Sequence, residues 1–286
     1  MKTRFAPYLI VLAVVVLGCS GLLPATAAPV PPIRPAHLYT PDPVSDAAGV
    51  TALADNPNPP ATPVRLVFVH HSTGGNWLAD PNDEQFYGGL GQALMNNNYY
   101  VSATNYGWGP DGIGDRTDIG NWWEWFRGDS REVILTALYG ESGQNVGDFG
   151  SWTRPATAPG GENEIVMFKG CFPNAHLSGS PGDPPNTGNN PLRGESAWIW
   201  DDGLGREVPN PHHTVANAKG IYNDILQYFA TRQDKLFIVI AGPPLTADDI
   251  DYPTDAAHAA NYRAFNDWLV NVWLDTYCYE PNCLEV

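Results

Sequence analysis

The chain has 286 residues, with 31 acidic against 15 basic side chains and a formal charge of −16. Such a charge repels phosphate backbones and anionic bilayers, which excludes nucleic acid as a partner and leaves the membrane only to a covalent anchor. A hydrophobic share of 43% suits one globular domain, and 29 Gly with 27 Pro require many structured loops.

Residues 1–28 have the form of an export signal: Lys2 and Arg4, an apolar run over 9–17, then the small residues Ala25-Thr26-Ala27. The run is too short and wrongly flanked to span a bilayer. Val16-Leu17-Gly18-Cys19 is similar to a bacterial lipoprotein box, so the chain is either simply secreted or lipidated at Cys19. Residues 29–62, rich in Pro, Ala, Asp and Asn, read as an extended linker, and 63–286 as one α/β domain. Near the C-terminus Cys278 and Cys283 enclose Tyr-Glu-Pro-Asn, a turn-forming tetrapeptide, which predicts a small disulfide loop and leaves Cys171 unpaired.

Within the domain, 66–69 reads as a buried strand that stops at His70-His71-Ser72-Thr73-Gly74-Gly75, a small turn leading into a helix. Residues 85–96 carry Phe86, Leu90, Ala93 and Leu94 at helical spacing. A second strand covers 99–104, a short aromatic helix 122–126 and a third strand 164–168, with the turn Lys169-Gly170-Cys171-Phe172-Pro173-Asn174 behind it. The Gly/Pro/Asn stretch 177–211 is long enough for a functional loop. Residues 214–231 form a helix with Thr214 as N-cap and Ile221, Ile225, Leu226 and Phe229 towards the core. A strand over 236–241, apolar on both faces, and a last helix over 256–274 follow. Continuously apolar strands alternating with helices imply a parallel sheet covered on both sides, whose ligand site lies at the carboxyl ends of the strands. Three segments emerge there: 70–76, 170–174 and 242–245.

A serine nucleophile needs a base for its proton and donors for the oxyanion. Ser72 stands at a strand-end turn, Gly74 and Gly75 can offer unobstructed N–H groups, and Asn174 a side-chain amide. Each also has a plain structural use, Ser72 as a helix cap and Asn174 as a turn residue. Asp255-Ala-Ala-His258 puts a carboxylate and an imidazole three residues apart at a helix start, so that Asp255 can orient His258 as the base. His70 and His71 are alternative bases; adjacent strand residues face opposite sides, so at most one lines the site. His176, His212 and His213 are weaker candidates. No spacing of His, Cys or acidic residues marks a metal site, and no cofactor is called for.

The strand–Ser72 turn, the Gly170…Asn174 turn and the late Asp255-x-x-His258 together resemble the SGNH or GDSL-like hydrolase superfamily, with divergent blocks: His-His-Ser stands where Gly-Asp-Ser is usual, and Ala175 follows Asn174. The chain also resembles uncharacterised exported bacterial proteins with a His-His-Ser-Thr-Gly segment. The resemblance implies a three-layer α/β/α, flavodoxin-like parallel sheet and an esterase. It also implies Ser72 as nucleophile, Gly107 and Asn174 as oxyanion donors, and Asp255 and His258 completing the triad.

Trp108, Trp122, Trp123, Trp125, Trp198 and Trp200 lie in loops or short segments, where they serve either as sugar-stacking platforms or as loop anchors in the core. The expectation is an exported serine esterase acting on O-acyl, foremost O-acetyl, esters of carbohydrate. The alternatives are a non-catalytic carbohydrate- or surface-binding protein on the same fold and a metal-dependent hydrolase using His70 or His71.

Overall fold

The computed structural model describes residues 58–86, 88–242 and 254–273. The segment read as an export signal, Cys19, most of the segment read as a linker, residues 243–245 of the third strand-end segment and the Cys278/Cys283 pair lie outside the described residues. Among the described residues no helix is long and apolar enough to cross a membrane.

Four strands, β1 (Val64–Val69), β2 (Tyr99–Thr104), β3 (Ile165–Lys169) and β6 (Leu236–Ile240), pair in the order β2-β1-β3-β6, all parallel. Their β-branched and aromatic composition suits a pleated surface buried on both sides. Side chains alternate between two cores. Val67, Val69, Val166 and Phe168 enter a large cluster with the aromatic and aliphatic faces of α3 (Asn121–Phe126), α4 (Arg131–Gly140), α5 (Val215–Ala230) and α6 (Ala256–Trp268). Leu66, Phe68, Ile165 and Met167 enter a smaller one with Leu78 of α1 (Thr73–Leu78) and Leu90 and Leu94 of α2 (Leu90–Asn96). The protein is thus a mixed α/β fold, a four-stranded parallel sheet flanked by helices.

Arg65 is almost fully buried on β1, yet forms no ion pair among the described residues. Its guanidinium donates to the carbonyls of Gly161 (2.6 Å), Glu141 (2.7 Å) and Gly140 (3.3 Å), tying the long α4–β3 connection to the sheet.

The helix expected over 85–96 starts only at Leu90. The Asp83 carboxylate accepts from the N–H groups of Gln85 and Phe86 (both 2.9 Å), which holds a turn there, and Gly89 adopts φ +79°. Ala93, expected on its buried face, is exposed. Helix α4 and the hairpin of β4 (Trp198–Asp201) and β5 (Arg206–Pro209) arise where no element is expected. Thr214 caps α5 as expected, accepting from the Asn217 N–H at 3.2 Å. Asparagine amides hold the long loop in place: Asn190 donates to the Asn217 carbonyl (2.8 Å), Asn186 to Asn217 Oδ1 (2.8 Å), and Asn261 to the Leu177 carbonyl (2.9 Å). A loop with so few apolar side chains is therefore fixed by hydrogen bonds rather than by a core of its own.

Candidate active site

The turn after β1 is built around strain. Ser72 has φ +47° and ψ −118°, a region that only glycine enters freely, and its side chain caps nothing although it stands at the N-cap of α1. The turn is closed by the Gly74 N–H donating to the His71 carbonyl (3.1 Å) and the Gly75 N–H to the Ser72 carbonyl (2.9 Å). Both glycines are there for close packing: a Cβ on Gly74 would stand 2.5 Å from His70 Cβ, and one on Gly75 2.6 Å from Phe149 Cβ. The Gly74 N–H is thus spent within the turn.

His70 and His71 are both buried. The His70 ring lies under Gly74 and packs on Phe68 (5.1 Å between ring centres). The His71 backbone N–H approaches it, but no group among the described residues meets either ring nitrogen in hydrogen-bond geometry. Burial, then the nearby Lys169, lowers its pKa to about 3. His71 is fully engaged: Nε2 meets the Gly114 carbonyl, Nδ1 meets Thr117 Oγ1 (3.1 Å), and Tyr106 stacks on the ring (3.9 Å). That pairing fixes the neutral tautomer with its proton on Nε2. His71 has no nitrogen left for a serine proton, and His70, whose nitrogens are unpaired among the described residues, is sealed in the core beneath Gly74.

The turn after β3 centres on Asn174, which is buried with every polar atom used. Its Oδ1 accepts from the Ile119 N–H (2.7 Å), and its Nδ2 donates to Asp118 Oδ1 and to the Cys171 carbonyl (both 2.9 Å). Asp118 also accepts from the Ala197 N–H through Oδ2 (2.8 Å); burial raises its pKa against these bonds. Gly107, at φ +68°, gives its N–H to Asp115 Oδ1 (2.8 Å) on the surface. Lys169, 1% exposed, touches the Gly170 carbonyl at 3.4 Å and lies 5.7 Å from the Trp77 ring centre. It forms no ion pair among the described residues, and burial pulls its pKa down. Cys171 is a free thiol whose pKa burial raises.

At the start of α6, Asp255 is an N-cap, accepting from the N–H groups of Ala257 (2.8 Å) and His258 (2.9 Å). The same oxygen lies 2.8 Å from His258 Nδ1, a close electrostatic contact off the line of a hydrogen bond. The His258 backbone N–H, foremost, holds the exposed Asp255 carboxyl below its ordinary pKa. The capping use of Asp255 is thus observed, and its carboxylate lies against the His258 ring without a hydrogen bond to it. The His258 ring stacks on His176 (3.7 Å), and His176 meets Trp198 edge-on (5.4 Å). His213 Nδ1 donates to the His176 carbonyl (2.9 Å) from full burial. Gly242, two residues past β6, sits so close to the Tyr262 hydroxyl that a Cβ would collide with it, and that Cβ would lie in ordinary contact with the carbonyls of Gly170 and Cys171. The ends of β3 and β6 and the first turns of α6 are thereby joined.

The six tryptophans divide. Trp122 and Trp125 are core residues; Trp123 packs half-buried against that core, as does Trp108, which stacks on Trp125 (5.8 Å). Trp198 and Trp200 stand on the β4–β5 hairpin, Trp200 being 63% exposed. Among the described residues no three His, Cys, Asp or Glu side chains gather as a metal site requires. Lys169 and Asp118 escaped the sequence reading; a lysine ending an otherwise apolar strand was the available signal for the first, and Asp118 offered none. No family model, curated protein or solved structure matches the chain.

The buried imidazoles make stability acid-sensitive. Burial lowers the pKa of His213 to about 4, and burial with the neighbouring His258 does the same for His176, from an ordinary 6.5. The unfolded chain binds these protons first as pH falls, so stability is complete above pH 6.5 and is lost progressively towards pH 4. His213 alone accounts for about 3 kcal/mol over that interval. Urea midpoints at pH 7 and 4.5 should differ accordingly, and His213→Gln should flatten the dependence; an equal slope in the variant would assign the loss to other groups.

Proposed function

We propose that the chain is an exported serine esterase of the SGNH type on a flavodoxin-like three-layer fold, cleaving O-acyl esters of carbohydrate. The observation that carries this reading is Ser72: a strained, uncapped serine where a buried parallel strand turns into a helix. Strain of this kind concentrates at functional sites, and the uncommitted hydroxyl is left for chemistry. Of His70, His71 and His258, only His258 has a carboxylate close against its ring and a partly exposed side chain, which favours it over the other two.

In this reading Ser72 Oγ attacks the acyl carbon while His258 takes its proton. The tetrahedral oxyanion collapses, the sugar hydroxyl leaves with the proton from His258, and a water, activated by the same imidazole, releases the acid from the acyl-enzyme. The oxyanion donors differ from the expected set. The Asn174 amide is locked into Asp118 and Cys171, whereas the Gly107 N–H can exchange exposed Asp115 for substrate at little cost, since water can serve Asp115 instead. The locked Asn174 amide is also the one observation that favours the non-catalytic binding alternative.

The test is covalent. A fluorophosphonate probe should label the full chain on the peptide holding Ser72, and the label should disappear in Ser72→Ala and fall steeply in His258→Ala, while His71→Gln, if folded, keeps it. Absence of labelling in the wild-type protein sinks the esterase reading.

A further inference from the structure

We infer that the β4–β5 hairpin is the sugar-binding wall of this site, with Trp200 as a stacking platform for an uncharged segment of a polysaccharide; this rests on the esterase reading above. The hairpin springs from the site itself. The residue before β4, Ala197, gives its N–H to Asp118, the carboxylate that braces Asn174, and its carbonyl accepts from the Asn210 N–H (2.9 Å), closing the hairpin base. Trp198 then meets His176, and His176 stacks on His258. Trp200 is two residues further, on the same face as Trp198, which places it about 7 Å out along the strand.

Trp200 is the most exposed large apolar side chain among the described residues, at 63%. An isolated two-residue step from a packed Trp198 to an open Trp200 leaves one indole face to solvent. Its surroundings choose the occupant. Glu207 pairs directly across the strands from Trp200, and Asp202 is exposed at the turn. An aromatic face with Glu207 opposite, and Asp202 and a single cation, Arg206, exposed at the hairpin end, suits a ligand with an apolar C–H face and hydroxyl donors at its edge, which is the chemistry of a neutral pyranose. Carboxylates, together with a chain charge of −16, disfavour uronic acid polymers. A greasy protein surface would be left facing unpaired charge. A chain stacked on Trp200 runs inwards past Trp198 towards His258, which presents its ester to the reacting groups.

The test separates platform from chemistry. Full-length Ser72→Ala, which cannot turn over ester, is run in gels containing partially O-acetylated xylan, O-acetylated glucomannan or polygalacturonate. Retardation by a neutral glycan is expected, with at least about fivefold weaker binding when Trp200→Ala is added and near-full binding with Trp200→Phe. In the protein with Ser72 intact, Trp200→Ala should raise KM for the acetylated neutral glycan at least about fivefold with kcat changed by less than about twofold, as loss of a remote platform requires. Retardation unaffected by Trp200→Ala, retardation only by polygalacturonate, or a dimer in sedimentation that Trp200→Ala dissolves would each overturn the platform. Trp200-dependent retardation in a protein without esterase activity would keep the platform and discard the chemistry.

Discussion

Ser72→Ala is expected to lower kcat/KM for p-nitrophenyl acetate by at least about a thousandfold, because it removes the proposed nucleophile outright. The same change should leave stability intact, since the Ser72 side chain caps no helix N–H. Ser72→Gly goes further. At φ +47° and ψ −118° a residue with a Cβ stores about 1–3 kcal/mol, and glycine does not, so the glycine variant should be inactive yet more stable by about 1 kcal/mol. Urea unfolding of the three proteins beside their initial rates makes the comparison. A glycine variant less stable than wild type would show that the turn stores no strain, and an alanine variant that keeps its rate would move the nucleophile elsewhere.

Asn174→Ala should cost about 3 kcal/mol of unfolding free energy. The change removes three hydrogen bonds and leaves the Ile119 N–H, one Asp118 oxygen and the Cys171 carbonyl without their partner, in surroundings where lost partners cost about 1–3 kcal/mol each before relaxation. Asn174→Asp should also be damaging, since it sets a second carboxylate against Asp118. The informative readout is stability beside rate. A lowered urea midpoint with catalysis falling only through lost folded protein marks Asn174 as a brace. An unchanged midpoint with a kcat loss of a hundredfold would restore the oxyanion donor that the sequence suggested.

The difference between those roles shows where sequence patterns carry information. The strands were legible because each is a short apolar run cut off by turn residues: 99–104 coincides with β2, and 236–241 overruns β6 by one residue. Thr214 was legible as a cap because capping is a local event. Helix α4 was missed although Ile134, Leu135, Leu138 and Tyr139 recur at helical spacing; the face is short, and Ser130 at its N-cap makes no side-chain cap bond. The hairpin stayed hidden in a Gly- and Asp-rich stretch whose exposed strands have no buried face to pattern. At the site, motif spacing pointed to Ser72, Asn174 and the Asp255–His258 pair but said nothing of how their hydrogen bonds are spent. Asn174 faces Asp118, 56 positions away, and His71 faces Thr117, 46 positions away; only the folded chain brings those partners together. The commitment of a polar group is a tertiary property, and so was invisible.

The pairing of β1 with β3 joins Leu66 to Ile165 and runs through the centre of the sheet. Almost a hundred residues must be looped out before that contact forms, and the entropy of closing such a loop is lost before any hydrogen bond compensates it. Folding should therefore be slow beside that of helical proteins of this size. The strained turn at Ser72 lies just past that central strand, and nothing local favours its backbone conformation; it persists only once the sheet and α1 hold it from both sides. Reactivity at Ser72 would then return with the last structure to form, so that the rate at which a refolding sample regains its covalent label times the closure of the sheet itself.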